Sequence, residues 1–153
     1  MFNNPIFSWN EELKEAACII TDSRTGIIYK GKATCHPDDY DMASEKTGCE
    51  IASRRAVIKA LQGYKKVLNI KLSTLNNLYY NMKHSTHFNP KSYENKMLQR
   101  HIQMIKNDLA TTKEMLAEEQ ENLREYLKIK EKLYTTLRHM RKNYPKVAKA
   151  KNN

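Results

Sequence analysis

Between Ala33 and Ala56 the chain sets Cys35, His36, Asp38, Asp39, Asp41, Cys49, Arg54 and Arg55 within two dozen residues. Thiol, imidazole and carboxylate in one stretch raise zinc first. Structural zinc sites pair their ligands as Cys-x₂₋₄-Cys or His-x₃₋₅-His. Here adjacent Cys35 and His36 point to opposite sides of an extended segment, and no second pair is close in sequence. Calcium fits no better, because Asp38-Asp-Tyr-Asp41 lacks the glycine and the bidentate glutamate of an EF loop. A Cys–His nucleophile pair needs an orienting third group and an oxyanion donor, and neither is evident. His36-Pro37-Asp38-Asp39 reads instead as a turn, with proline presetting φ and aspartate answering free amides. The cysteines read as small buried hydrophobes.

Arg54 and Arg55 are different. Neighbours on a helix point about 100° apart, so at least one leaves the apolar face. One reading pairs it on the surface with Glu50 or Glu45. The other offers its guanidinium to a phosphate group at a pocket between subunits. A second polar cluster follows at Tyr79-Tyr80-Asn81, His84, His87, Phe88 and Asn89. Aromatic faces with nearby amides suit an adenine, by stacking and by hydrogen bonds at one edge. Tyrosines at helical spacing also serve as core. If Arg138 and Arg141 fold back beside this cluster, base and phosphate recognition coincide. The chain has no Gly-x-x-x-x-Gly-Lys-Ser/Thr, Gly-x-Gly-x-x-Gly or Gly-x-Ser-x-Gly motif. With four glycines in 153 residues it offers no loop to cradle a nucleoside triphosphate.

These groups must be positioned by few elements. Charged residues make up 29% and hydrophobic residues 40%, with only four prolines, so helix should dominate a single domain. Three cysteines and no leader-like N-terminus fit a cytoplasmic, reduced chain. No apolar run reaches the roughly 18 residues a membrane span needs. The net charge is +10, and after Glu131 no acid follows Lys132, Arg138, Arg141, Lys142, Lys146, Lys149 and Lys151. Such a terminus suits phosphate groups, or is simply a solvated tail.

Residues 14–34 predict a β-hairpin turning at Asp22–Gly26, with Ile27, Tyr29 and Ala33 on one face and Ile28, Lys30, Lys32 and Thr34 on the other. A hairpin alone is unstable and needs a helix. Thr47-x-x-Glu50 has capping-box form for that helix, with Ser44 a competing start. Gly48, Ala52, Ala56 and Ala60 form a smooth stripe for close packing, and Gly63 weakens the helix near its end. Residues 67–82 have helical spacing, with a short strand at their start as the alternative. His84–Pro90 is a break. From Lys91 to Tyr144 there is no glycine or proline, and Leu98, Ile102, Ile105, Leu109, Leu116, Leu123, Tyr126, Leu133, Leu137 and Met140 form a heptad-like ladder. This is one long helix, or an antiparallel pair with its corner at Ala117–Asn122. Closure within one chain favours the pair. The architecture expected is α+β: residues 1–88 a small sheet-on-helix domain, 89–144 a coiled-coil-like arm or helix pair, and 145–153 a basic tail. Apolar surface left over predicts a dimer or higher oligomer.

Gly31-Lys-Ala-Thr-Cys-His-Pro-Asp-Asp39 and Gly48-Cys-Glu-Ile-Ala-Ser-Arg-Arg-Ala56 resemble a run found in small phage and prophage proteins. Following a hairpin and preceding paired helices, the pattern is similar to the anti-Thoeris signal-sponge family of phage. That resemblance implies a non-enzymatic oligomer in the host cytoplasm that sequesters cyclic ADP-ribose-type signals, with some members holding cyclic oligonucleotides at a separate site. It implies no cofactor, metal or catalytic residue. By that analogy Tyr79, Tyr80, Phe88 and Asn89 hold the base and Arg138 or Arg141 the phosphate. Lys30, Arg54 and Arg55 then form a second nucleotide site. Two rival readings are a basic coiled-coil regulator that binds nucleic acid and an interaction module that inhibits a host defence enzyme.

Overall fold

The computed structural model describes residues 1–143. The anticipated basic tail at 145–153 lies outside the described residues. Strands β1 (Ile6–Asn10), β2 (Glu15–Thr21) and β3 (Ile28–Thr34) form an antiparallel sheet in the order β1-β2-β3. A 3₁₀ turn at Pro37–Met42 leads into helix α1 (Glu45–Lys83), and a short turn leads into helix α2 (Tyr93–Asn143). The fold is the expected α+β arrangement: Tyr29 and Ala33 turn inward while Ile28, Lys30, Lys32 and Thr34 stay exposed, but Ile27, expected beside Tyr29 and Ala33, lies in the turn before β3 and is exposed.

Strand β1 was not anticipated. It pairs along β2 from Ile6↔Ile19 to Asn10↔Glu15 and brings Trp9 opposite Ala16. Its Ile6, Phe7 and Trp9 are residues that strands favour, but the segment is only five residues long between Asn3-Asn4-Pro5 and the charged Glu11-Glu12, and it is the backbone of β2 that supplies the pairing.

The sheet packs on α1 through small residues. Ala16, Cys18, Ile20 and Ala33 meet Ala52, Ala56 and Ala60 in one buried cluster. The approach is tightest at Gly31, where an added Cβ would lie 1.9 Å from the Ala52 carbonyl oxygen. The alanine stripe therefore does what its spacing suggested. Two details of α1 differ from the sequence reading. Ser44, rather than Thr47, is the N-cap: its hydroxyl accepts from the Thr47 amide at 3.4 Å, so Thr47 sits inside the first turn. Gly63 does not end the helix, which runs without interruption for twenty further residues and contains the segment considered as a short strand. The glycine instead leaves room for Tyr29, whose hydroxyl would stand 2.0 Å from a Cβ there.

Helix α2 corrects the favoured expectation of a helix pair. It is one helix of 51 residues, roughly 76 Å long, and Ala117–Asn122 is an ordinary part of it. Its antiparallel partner is α1, not its own second half. Ile102, Leu109, Thr112 and Leu116 are buried along α2, and Leu61 and Leu68 along α1, where the two helices pack together. The ladder holds through these rungs and then fails, leaving Leu133 and Met140 each 46% exposed. A straight helix drifts about 20° per heptad against a strict seven-residue repeat. Near its C-terminus α2 therefore turns Leu127, Tyr134 and Arg138 toward the domain instead.

Candidate functional site

Where the C-terminal part of α2 passes the sheet and the start of α1, a cavity of ≈ 350 Å³ remains. Its walls come from both ends of the sequence. Trp9 and Lys14 come from β1 and the following turn, Ala33–His36 from the end of β3. Ser44, Thr47, Gly48, Ile51 and Arg55 come from the first turns of α1, and Leu127, Lys130, Glu131, Tyr134 and Arg138 from α2.

Local bonds hold this frame. His36 caps the 3₁₀ turn by accepting the Asp38 amide at its Nδ1 (3.3 Å), and the Cys35 thiol donates to the Asp39 carbonyl at 3.4 Å. Asp39 is buried and receives both the Nε (2.7 Å) and an Nη of Arg138. Arg141 pairs with Asp41 and donates to the Asp38 carbonyl at 3.3 Å. The aspartates, read as turn architecture, thus also clasp the end of α2 to the sheet domain. Arg138 beside Asp39 holds that carboxyl below its ordinary range, outweighing the burial that opposes it.

The electrostatic balance of the cavity is cationic: Lys14, Arg55, Lys130 and Arg138 face Asp39 and Glu131. Lys14 pairs with Glu11, and Arg138 with Asp39. Among the described residues, Arg55 and Lys130 have no carboxylate partner. Arg55 is steered by one bond to the Lys32 carbonyl (2.7 Å), and Lys130 lies 5.3 Å from the centre of the Tyr126 ring. The first turn of α1 adds the positive end of a helix dipole. Trp9 and Tyr134 supply aromatic surface. Burial, then the charges of Asp39 and Asp41, push the Cys35 thiol up, so it is held protonated and is a poor nucleophile. Among the described residues no three His, Cys, Asp or Glu side chains group closely enough to hold a metal ion. Among the described residues no helix is long and apolar enough to cross a membrane.

The residues singled out in the sequence divide between places. Arg138 and Arg55, assigned by analogy to two different sites, line this one cavity. Arg141 stands beside it on Asp41. Arg54 makes the surface pair with Glu50 (2.9 Å) and lies 5.5 Å from the Tyr126 ring centre. Lys30 is on the outer sheet face, and its carbonyl accepts from Lys59 at 2.8 Å. With Arg55 on Lys32, this bond covers the open edge of β3.

The aromatic cluster lies elsewhere, at the tip of the helical hairpin. Tyr79 meets Phe88 edge-on at 6.0 Å and accepts from Gln99 at 3.1 Å, and Tyr80 packs on His84 at 4.3 Å. Asn89 braces the turn: its side chain accepts the Lys91 amide (3.0 Å) and its carbonyl accepts from Asn95 (2.6 Å). From Gln99 at the tip to Arg138 the helix runs about 58 Å. The proposed meeting of Tyr79, Tyr80, Phe88 and Asn89 with Arg138 and Arg141 in one chain therefore does not occur. The reason is the single long α2, which carries its arginines back to the sheet instead of folding at its middle.

Sequence reasoning missed Trp9, Lys14, Lys130 and Tyr134. The one tryptophan beside a charged turn was a weak signal, and Tyr134 was off the apolar ladder. No protein-family model, curated protein or solved structure matches the chain.

Proposed function

We propose that the protein binds a small phosphate-bearing ligand of the nucleotide class in the junction cavity and holds it without turnover. The observation that carries this reading is the pair Arg55 and Lys130, two cations without a carboxylate partner, beside the first turn of α1 and the aromatic surfaces of Trp9 and Tyr134. Unpaired guanidinium and ammonium groups are suited to phosphate oxygens, and an aromatic wall to a base. The volume is at the small end for ligand sites and fits one nucleotide unit better than a cyclic trinucleotide. A thiol held neutral supports binding rather than nucleophilic chemistry. In the form suggested by the resemblance, the ligand is a cyclic ADP-ribose-type or cyclic-oligonucleotide immune signal, and the protein is a phage counter-defence sponge.

Thermal shift with cyclic ADP-ribose isomers, cyclic di- and trinucleotides and inorganic phosphate tests this. One nucleotide should raise Tm by several degrees, be recovered unchanged after heating, and lose its effect in an Arg55→Ala, Lys130→Ala variant of unchanged fold. A flat panel, or a shift indifferent to both substitutions, overturns the assignment.

A nucleic-acid reading has one observation of its own. Between Glu50 and Glu94 the chain has no acid, while Lys59 and Lys66 are exposed on α1. Duplex affinity falling steeply with salt, and weakened by Lys59→Ala with Lys66→Ala, would favour it.

A further inference from the structure

One stripe of α2 is turned away from the buried seam with α1. It comprises Tyr93, Met97, Arg100, Met104, Asp108, Thr111 and Met115, spaced by four and three residues so that they share a side of the helix. Tyr93 is 74% exposed, Met97 42% and Met104 62%, unusual for large apolar side chains on a helix whose opposite side is already packed. Arg100, Asp108 and Thr111 are exposed as well, and Met115 is half-buried. The stripe is symmetric about Met104. Arg100 and Asp108 stand four residues either side of it, Met97 and Thr111 seven, Tyr93 and Met115 eleven.

We infer that this stripe is a homodimer interface, occupied by the same stripe of a second copy running antiparallel, with the two-fold axis at Met104. In that register Met104 packs on Met104 of the second copy, Met97 on Thr111 and Tyr93 on Met115. Each Arg100 faces an Asp108 of the other copy, so the one pair forms twice. Among the described residues neither Arg100 nor Asp108 has an ion-pair partner within the chain. Charge also selects the direction. A parallel pairing would set Arg100 on Arg100 and Asp108 on Asp108, and repulsion opposes it at both places. The stripe spans about 33 Å of a helix already fixed by α1, so association orders side chains but no backbone. The inference is independent of the cavity, which lies against the C-terminal part of α2.

Sedimentation equilibrium on the full chain tests it through a charge cycle. The wild type should be a dimer. Arg100→Asp and Asp108→Arg, each of which places like charges together twice, should weaken it about ten-fold or more. The double exchange R100D/D108R restores opposite charges and should restore the dimer. Both positions of the cycle are on the surface, so helical circular dichroism and Tm should be unchanged. Met104→Cys should give a covalent dimer under mild oxidation where the wild type gives none. A monomeric wild type, a dimer indifferent to the single variants, or a folded double variant that stays monomeric overturns the inference.

Discussion

Single atoms decide how closely this sheet and helix approach. At Gly31 a methyl group would collide with the backbone of α1, at the Ala52 carbonyl and the Ala56 amide, and backbone cannot step aside as a side-chain tip can. Gly31→Ala should therefore cost about 2–3 kcal/mol, measured by urea unfolding; a cost below about 0.5 kcal/mol would mean that the contact is looser than described. Asp39 is the second such position. Its carboxyl lies below the ordinary value because Arg138 donates to it, so the folded pKa is lower than the unfolded one. The clasp's contribution is then complete above about pH 4 and is lost as pH falls through the folded value. Hydrogen exchange in the last turns of α2 should show added opening under acid, and Asp39→Asn should show that opening already at neutral pH. Much at this scale was legible. The surface pairing of Arg54 with Glu50 and the turn chemistry at His36-Pro37-Asp38 follow from short sequence separations. The meeting of Trp9 with Lys130 and Tyr134 was not legible, because Trp9 comes from β1 and the other two from α2, and no local spacing relates the two elements.

Whole elements were easier to see than their limits. The hairpin and the Ala52-Ala56-Ala60 stripe carry strong periods, and both stand in the structure as read. The starting point of α1 was harder, since Ser44 and Thr47 both offer a hydroxyl one turn apart and only the backbone conformation distinguishes them. Helix α2 was misjudged for a physical reason. A polar patch without a breaker was given the weight of a corner, although helix propensity through Ala117-Glu-Glu-Gln-Glu121 is high. Substituting proline at Gln120 measures this directly. In a continuous helix it removes a hydrogen bond and clashes with the preceding turn, costing about 3 kcal/mol in thermal or urea unfolding. Near-wild-type stability would instead favour a corner.

At the scale of the whole molecule, α1 and α2 form a long lever with different chemistry at its two ends. The tip holds an aromatic turn braced by Asn89, and the base holds the cationic cavity, closed on one side by the 3₁₀ turn and α2. None of this arrangement could be read from composition, which establishes the excess of cations but not that Arg55 and Arg138 converge. The clasp of Arg138 and Arg141 on Asp39 and Asp41 also has a consequence in time. It joins residues 99 and 100 positions apart, whereas the contacts at the tip join near neighbours. Loop-closure entropy favours the tip first, so the two helices zip from Tyr79 and Gln99 toward the sheet, and the clasp is the last tooth. On a ribosome the cavity lacks its α2 wall until the chain through Arg138 has emerged. A molecule held in it would act as a latch, slowing the first step by which the protein comes apart.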